Sequence, residues 1–399
     1  MPSLERNKCD TTRNKVPLQV LEARIKGNLR AHLHRLGFAK NGDGQLVVPC
    51  EDKQTIRLSH SAQRRERLRE AGTFLKTSLP RLINYFASGT EVVPERILPS
   101  IELVEPGTRE ADLFRIASFT WSIPVSQGYG RRMRFLIWDK SNGKLVGILA
   151  LGDPVFNLRV RDQTIKWDAD VRKERLVNMM DAYVVGALPP YNMLLGGKLV
   201  ACMIRSQEVR DAFKRRYANT CGLISGKEKH AQLVLVSTSS ALGRSSMYNR
   251  LRLNGLNYFE SVGYTSGYGH FHISSNLFDQ MRAYLRRRRH PYSKGHDYGD
   301  GPNWKLRAIR ATLELMGVDR DLLRHGIKRE VFICRLARNA DDVLRGGQGE
   351  ADYGDLLTAA DVGNLALHRW LCPRAQRKPE FKNWSNQELL KLLSWREKS

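Results

Sequence analysis

The sequence lacks the long hydrophobic runs of a membrane protein. None of its apolar stretches approaches the ~20 residues that a membrane-spanning helix requires, and the first fifteen residues, MPSLERNKCDTTRNK, are charged and lack the apolar segment of a secretory signal. Cysteine is also scarce: the six residues among 399 are scattered and form no C-x-x-C pair, which argues against a zinc ribbon or a disulfide scaffold. We therefore expect a cytoplasmic protein that does not enter membranes.

Acidic residues are in short supply relative to basic ones. The chain has 41 Asp and Glu against 66 Lys and Arg, which gives a formal net charge of +25. Such an excess attracts polyanions, because binding to phosphates releases their condensed counterions. Many of the cations are arginine, whose planar fork suits phosphate oxygens. Nucleic acid is the first candidate partner, and an anionic membrane surface or an acidic protein is an alternative.

Hydrophobic periodicity divides the chain into three regions. Residues 1–95 show basic amphipathic helical patterns, such as LEARIKGNLRAHLHRLGF. Residues 96–280 alternate strand and helix patterns: RFLIWDK and GKLVGILALGD form a hairpin around a Ser-Asn-Gly turn, AQLVLVSTSS is a buried strand, and RSSMYNRLRLNG begins a helix that ends at Gly255. Residues 281–399, which include DLLRHGIKREVFICRLA, are basic and helical again. This order predicts an α/β or α+β core with basic helical segments at both ends.

The stretch PPYNMLLGGKLVACM has the composition of a tight loop that leads into a helix. It is not a nucleotide P-loop, because Asn192 replaces the first glycine of that motif and Leu199 replaces its hydroxyl residue. The sequence from LLGGKLVACMI through AQLVLVSTSS to SSMYNRLRLNGLNYF resembles the central motifs of the acyl-CoA-dependent N-acyltransferase (GNAT-like) fold. The resemblance implies a central mixed sheet and makes Gly196, Gly197 and Lys198 candidate cofactor-binding residues. The alternative is that the two glycines only permit close packing of helix and strand.

The segment GHFHIS holds two histidines in an alternating pattern. On a strand, His270 and His272 would face the same side and could share a metal ion, although no convincing third ligand is present and no metal site is predicted. Tyr284 follows on a predicted helix. Together these three residues are the candidate catalytic groups of a metal-dependent single-strand nickase, a less favoured alternative.

The densest cationic run is RRRRH, just after that helix. Aromatic and basic residues alternate beyond it, which is typical of surfaces that bind nucleic acid. The predicted contacts to phosphate are Arg286, Arg287, Arg288, Arg289, Lys294, Lys305, Arg307 and Arg310. The alternative is that these cations form a solvated face with no ligand.

Several longer segments of the sequence point to one family. These segments are GDGPNWKLRAIRATLELMG, DLLRHGIKREVFICRLARNADDVL, VGYTSGYGHFHIS, LPPYNMLLGGKLVA and SSMYNRLRLNG. Over about residues 100–370 they resemble the Druantia protein A family. The resemblance implies a component of a multi-gene bacterial anti-phage defence system that acts beside a helicase-like protein. It supplies no catalytic residues, so whether the chain is an enzyme, and with what cofactor, stays open. We expect a nucleic-acid-binding or sensing subunit.

Overall fold

The computed structural model describes residues 16–40, 46–47, 52–126, 128, 130–221, 228–298 and 304–394. Its helices are α1 (Leu18–Arg35), α2 (Lys53–Ser59), α3 (Ser61–Glu70), α4 (Gly72–Leu82), α5 (Arg109–Ser118), α6 (Arg159–Ile165), α7 (Ala169–Arg175), α8 (Gly196–Cys202), α9 (Gln207–Tyr217), α10 (Ser275–Arg287), α11 (Trp304–Leu315), α12 (Ala340–Leu344), α13 (Ala359–Ala366), α14 (Cys372–Arg377) and α15 (Glu388–Leu392). Its strands are β1 (Ala39–Lys40), β2 (Leu46–Val47), β3 (Pro99–Leu103), β4 (Arg132–Asp139), β5 (Lys144–Gly152), β6 (Met179–Ala187), β7 (Asn219–Cys221), β8 (Glu228–His230), β9 (Leu235–Ser239), β10 (Arg252–Leu253), β11 (Leu256–Asn257), β12 (Glu260–Tyr264) and β13 (Glu330–Arg335).

A seven-stranded mixed sheet forms the centre of the fold. Its strand order is β12-β13-β9-β6-β5-β4-β3. Neighbouring strands are antiparallel except for β6 and β9, which are parallel. The parallel pair is joined by a crossover that contains α8 and α9, as parallel neighbours require. The predicted α+β class with a mixed central sheet is confirmed.

The β4–β5 hairpin shows how the sequence sets this sheet. Gly143 supplies the positive φ of the turn, 69°, and the predicted Ser-Asn-Gly turn is confirmed. The buried carboxylate of Asp139 accepts hydrogen bonds from the backbone N–H and hydroxyl of Ser141, at 3.0 and 2.7 Å, and from the hydroxyl of Tyr191 at 3.0 Å. These bonds fix the turn against the helical layer.

Helices cover both faces of the sheet. Along β4, Phe135 and Ile137 face one apolar layer, which includes Val200 of α8, whereas Leu136 faces another, which includes Leu79 of α4. Because both faces are buried, β5 is a nearly continuous apolar run rather than an alternating one. In the part of the chain that the structure describes, no helix is long and apolar enough to cross a membrane.

Contacts within the chain group the residues into two units. The first unit combines α1, β1 and β2 with residues 268–298 and 304–326, and the second unit holds the described residues of 50–267 and 327–399. The first unit is therefore discontinuous in sequence, with α1 packed on α10. The division of the chain after residues 95 and 280 stays a prediction.

Two predicted helices are wrong. The segment RSSMYNRLRLNG forms turns and then the β10–β11 hairpin, because Asn254 and Gly255 adopt positive φ values of 47° and 78°, which suit a two-residue turn. The segment KREVFICR forms β13 in the central sheet rather than part of a helix. Its β-branched and aromatic residues Val331, Phe332 and Ile333 favour a strand. They are all buried, so no alternating pattern marks them.

Candidate nucleic-acid interface

Helix α10 is the scaffold of the basic segment in the first unit. Its apolar side chains recur at helical spacing and are buried: Leu277, Phe278, Met281, Tyr284 and Leu285. The side chain of Ser274 caps its amino terminus by accepting the N–H of Leu277. Arginines in its last turn suit the partial negative charge of a helix carboxyl end. The local sequence therefore places the start of the arginine run at the carboxyl end of α10.

The four arginines that end and follow α10 are all exposed. Arg287 donates to the backbone oxygen of Val16, and the guanidinium of Arg288 lies 5.4 Å from the ring centre of Tyr284. Arg286 and Arg289 have no carboxylate partner among the described residues. At least two guanidinium groups of the run therefore face solvent with their charge uncompensated.

The remaining predicted contacts lie on the next two elements. Lys294 is exposed in the 3-10 helix Pro291–Tyr298. On α11, Arg307 and Arg310 are exposed, on the side opposite the buried residues Ala308, Ile309, Thr312 and Leu313. Lys305 is only half-exposed, and its ammonium lies 4.8 Å from the ring centre of Phe278. Lys305 therefore contributes partly to packing, whereas Arg310 faces solvent.

Trp304 holds α10 and α11 together. Its ring packs edge-on against Phe278 at 5.5 Å between centroids, the guanidinium of Arg282 lies 5.4 Å from its centre, and its Nε1 donates to the Tyr292 backbone oxygen at 3.2 Å. Trp304 thus helps to build the scaffold, and the exposed cations around it are accessible to a ligand.

Some arginines of the second unit are used differently. Several are partly or fully buried and engage carboxylates at 2.6–2.9 Å: Arg131 with Asp153, Arg161 with Asp162, Arg205 with Asp355, and Arg335 with Asp341. The guanidinium groups of Arg131, Arg161 and Arg205 also donate to backbone oxygens. The charges of these four arginines are therefore structural. The solvent-facing arginines near α10 are better placed for phosphates than these four.

The strand prediction for His270 and His272 is wrong. Residues 270–273 form a turn, closed by a hydrogen bond from the Ile273 N–H to the His270 oxygen at 3.0 Å. His272 is buried among the rings of Phe38, Phe271 and His325. Within the described ranges, no group of three or more His, Cys, Asp or Glu side chains could hold a metal ion. The two rings therefore do not form the shared face that metal binding would need.

The nickase hypothesis also needs an accessible tyrosine. The side chain of Tyr284 is fully buried, and its hydroxyl donates to Oε2 of Glu22 on α1 at 3.0 Å. Burial, aided by Glu22, raises the pKa of the Tyr284 hydroxyl. For His270, burial and the charge of Lys305 lower the pKa to about 4. This arrangement gives Tyr284 a packing role and does not present it as a nucleophile.

The glycine pair at the start of α8 lies in a close crossing of helix and sheet. A Cβ on Gly196 would approach the Tyr191 backbone oxygen to 2.6 Å, and one on Gly197 would lie 3.0 Å from Sδ of Met247. The ammonium of Lys198 lies 5.3 Å from the ring centre of Trp370, and burial lowers its pKa. The close approach to Tyr191 is sufficient reason for glycine at Gly196.

The two glycines should respond differently to alanine. We expect Gly196→Ala to lower the free energy of unfolding by about 2 kcal/mol, because its neighbour is rigid backbone. Gly197→Ala should be neutral or slightly stabilising, since the Met247 side chain can move and alanine favours helix by about 1 kcal/mol. Urea unfolding of both variants measures the difference. Equal stabilities would contradict the packing role of Gly196.

Sequence reasoning missed a polar pair on the parallel strands, in which Ser237 is buried and Asp181 is half-buried. The hydroxyl of Ser237 on β9 donates to Oδ1 of Asp181 on β6 at 2.8 Å, in register across the parallel pair. Burial raises the pKa of the Asp181 carboxyl from 3.8 to about 6, although Ser237 and Arg161 oppose this. An aspartate within the apolar run NMMDAYVVGAL was the available signal.

This raised pKa makes stability depend on pH. The native state holds the Asp181 proton up to pH about 6 whereas the unfolded chain releases it near 3.8, so stability falls as pH rises between these values. We expect Asp181→Asn to be more stable than the parent at pH 7.5, with a gap that narrows by about 2 kcal/mol at pH 4.5. Glu174→Gln, an exposed change on α7, is the control in chemical denaturation. An equal stability difference between Asp181→Asn and the parent at both pH values would contradict the raised pKa of Asp181.

Comparisons with known proteins identify relatives of the whole chain. The profile of the family described as Druantia protein DruA matches residues 50–346. Druantia protein DruA of Escherichia coli (strain UMEA 4076-1) is 50% identical over 379 residues, which cover 95% of this chain and 94% of that protein. No solved structure is significantly similar. The similarity spans both units.

Proposed function

Because the chain belongs to the Druantia protein DruA family, we propose that it is a nucleic-acid-binding component of an anti-phage defence system. In this proposal it binds phage nucleic acid, or an intermediate made from it, and acts beside a helicase-like protein of the same system. The observation that carries the proposal is the exposed run Arg286–Arg289, with Arg310 on the adjoining helix.

The charge balance of this segment supports a polyanion ligand. From residue 282 to residue 310 the sequence has nine Lys or Arg and two Asp. Arg286, Arg289 and Arg310 have no described carboxylate to neutralise them. Solvent-facing guanidinium groups bind phosphate oxygens without reading bases, so the contacts would be independent of sequence. The candidate phosphate contacts remain the eight residues between Arg286 and Arg310 named above.

A direct binding experiment tests this function. Purified full-length protein is titrated against labelled single-stranded DNA, duplex DNA and RNA at ~50 mM salt, where electrostatic binding is strong. We expect dissociation constants in the micromolar range or tighter for at least one of the three. Absence of binding to all three at this salt concentration would overturn the proposal.

A second candidate function is acyl transfer from acyl-CoA, which would make the chain an enzyme with a GNAT-like core. It is favoured by the parallel pair β6 and β9, which are joined through the glycine-containing start of α8 in the order expected for that fold. The pairing covers Met179–Asp181 and Leu235–Ser237, and β6 continues beyond it. Gly196, Gly197 and Lys198 would then lie near the cofactor.

The packing of α8 weighs against this second candidate. Gly196 meets backbone, and Lys198 lies against Trp370, so the residues assigned to the cofactor already have packing contacts. Calorimetric titration of the parent protein with acetyl-CoA and with CoA decides the matter. Saturable binding that Lys198→Met weakens would support acyl transfer, and no binding at ~1 mM of either compound would remove it.

A further inference from the structure

The segment that connects β5 to β6 contains an open pocket in the second unit. Helices α6 and α7 and the loops around them border an open depression of about 410 Å³, within the range of small-ligand sites. Three cationic side chains line it, Arg159, Lys166 and Arg172, together with the amides of Asn157 and Gln163. Asp162 is its acidic side chain. The lining is therefore predominantly basic and polar.

The carboxylate of Asp162 is fully occupied by donors of the protein. Its Oδ1 accepts from Arg161 Nε at 2.8 Å and from Trp167 Nε1 at 3.2 Å. Its Oδ2 accepts from Arg172 Nη1 at 3.0 Å and from the Leu158 N–H at 2.9 Å. Both oxygens are thus neutralised within the wall. Asp162 therefore organises the cations of the pocket and does little to repel an anion.

Arg161 makes the pocket rigid. Its side chain has no exposed surface, and its guanidinium also donates to the backbone oxygens of Val155 and Phe156 at 2.9 and 3.0 Å. One buried group therefore ties the loop after β5 to helix α6. Burial of so large a charged side chain is rare unless it is paired, as it is here. The walls of the pocket are held in place before any ligand arrives.

The three cations have donors to offer. Arg172 lies over the ring of Phe156, 4.6 Å from its centre, and its Nε is buried without a hydrogen-bond partner among the described residues. Lys166 is exposed and adopts a left-handed conformation with φ of 60°, a strained geometry for a side chain of its size. Arg159 is exposed at the start of α6.

From these observations we propose that the pocket binds the phosphate group of a nucleotide. Phosphate oxygens require hydrogen-bond donors, and the cations on two helices and the side-chain amides supply them. The one carboxylate among these donors is already neutralised. The pocket has room for a nucleotide and is lined by one aromatic ring, that of Trp167. Phe156, which is 46% exposed, contacts the lining residue Arg172. The phosphate belongs either to a free nucleotide or to the 5′ end of a nucleic acid strand.

Lys166→Asn is the most informative variant, because asparagine tolerates the left-handed conformation and the fold is kept. Full-length protein is titrated by calorimetry with ADP, inorganic pyrophosphate, adenosine, and a short oligonucleotide with either a 5′ phosphate or a 5′ hydroxyl. The matched control, Lys173→Gln, removes one exposed charge of α7 outside the pocket lining. Thermal unfolding verifies that both variants remain folded.

We expect a phosphate-bearing probe to bind to the parent protein. Lys166→Asn should lower the affinity for this probe roughly tenfold, as loss of one charge-assisted contact implies, whereas Lys173→Gln should leave the affinity unchanged. Binding of ADP identifies a free nucleotide, and binding of pyrophosphate shows that the phosphates are the recognised part. Binding of the 5′-phosphorylated oligonucleotide alone identifies a strand end. No phosphate-dependent binding at ~1 mM, or equal loss in both variants, overturns the proposal. Replacing Arg286, Arg289 and Arg310 leaves ADP and pyrophosphate binding unchanged, which separates this site from the proposed function.

Discussion

Replacing Arg286, Arg289 and Arg310 together should weaken nucleic-acid binding roughly a hundredfold at ~0.1 M salt. The variant combines Arg286→Gln, Arg289→Asn and Arg310→Gln. Asparagine is chosen because residue 289 has a positive φ of 54°. All three side chains are exposed, so the expected loss reflects lost phosphate contacts rather than unfolding. Fluorescence anisotropy with labelled DNA and RNA measures it.

A charge-matched variant controls for net charge. Lys173→Gln, Lys214→Gln and Lys382→Gln remove three exposed cations of the second unit. They should lower the affinity only slightly, because they are not among the candidate phosphate contacts and salt screens exposed charges that do not contact the ligand. In a plaque assay with the other system proteins present, the arginine variant should lose protection and the lysine variant should keep it. Similar affinities for the two variants would contradict an interface in the first unit.

Arg161→Met should lower the free energy of unfolding by about 3–5 kcal/mol, the largest stability effect that we expect. The methionine fills much of the volume but removes the donors to Asp162, Val155 and Phe156. The mostly buried carboxylate of Asp162 then loses one of its two arginine partners, so its charge is only partly neutralised. Chemical denaturation followed by far-ultraviolet circular dichroism measures the change.

Arg159→Met is the matched control for Arg161→Met. It lies two residues away on the same helix, is exposed, and has no described carboxylate partner. Surface changes of this kind usually alter stability by less than about 0.5 kcal/mol. If Arg161→Met were as stable as Arg159→Met, Arg161 would not be the anchor that holds the walls of the pocket.

Local signals in the sequence were sufficient for several elements of the central sheet. The β4–β5 hairpin and strand β9 were predictable, because turn residues and apolar runs mark them. Strand β13 was not, since it is short, buried up to its last residue, Arg335, and flanked by basic residues that suggest a helix. The β10–β11 hairpin was missed although Asn254-Gly255 is a strong turn signal.

Long-range contacts were beyond the sequence. Nothing in the periodicity of α1 indicates that this helix packs on α10. In that contact Glu22 of α1 accepts a hydrogen bond from the hydroxyl of Tyr284. The same limit applies to the charges. Arg161 and Arg286 are chemically alike in sequence, but one is paired in the interior and the other faces solvent. Their difference depends on which carboxylates the tertiary fold brings near. The basic run itself was predictable, whereas the pocket around Lys166 was not.

The most direct test is the dependence of nucleic-acid affinity on salt. Each phosphate contact lowers the slope of log K against log salt concentration by about 0.9 for duplex DNA. We predict a steep negative slope for the parent protein, and a slope shallower by about 2–3 for the variant at Arg286, Arg289 and Arg310. A flat slope for the parent, or identical slopes for parent and variant, would contradict phosphate binding by these arginines.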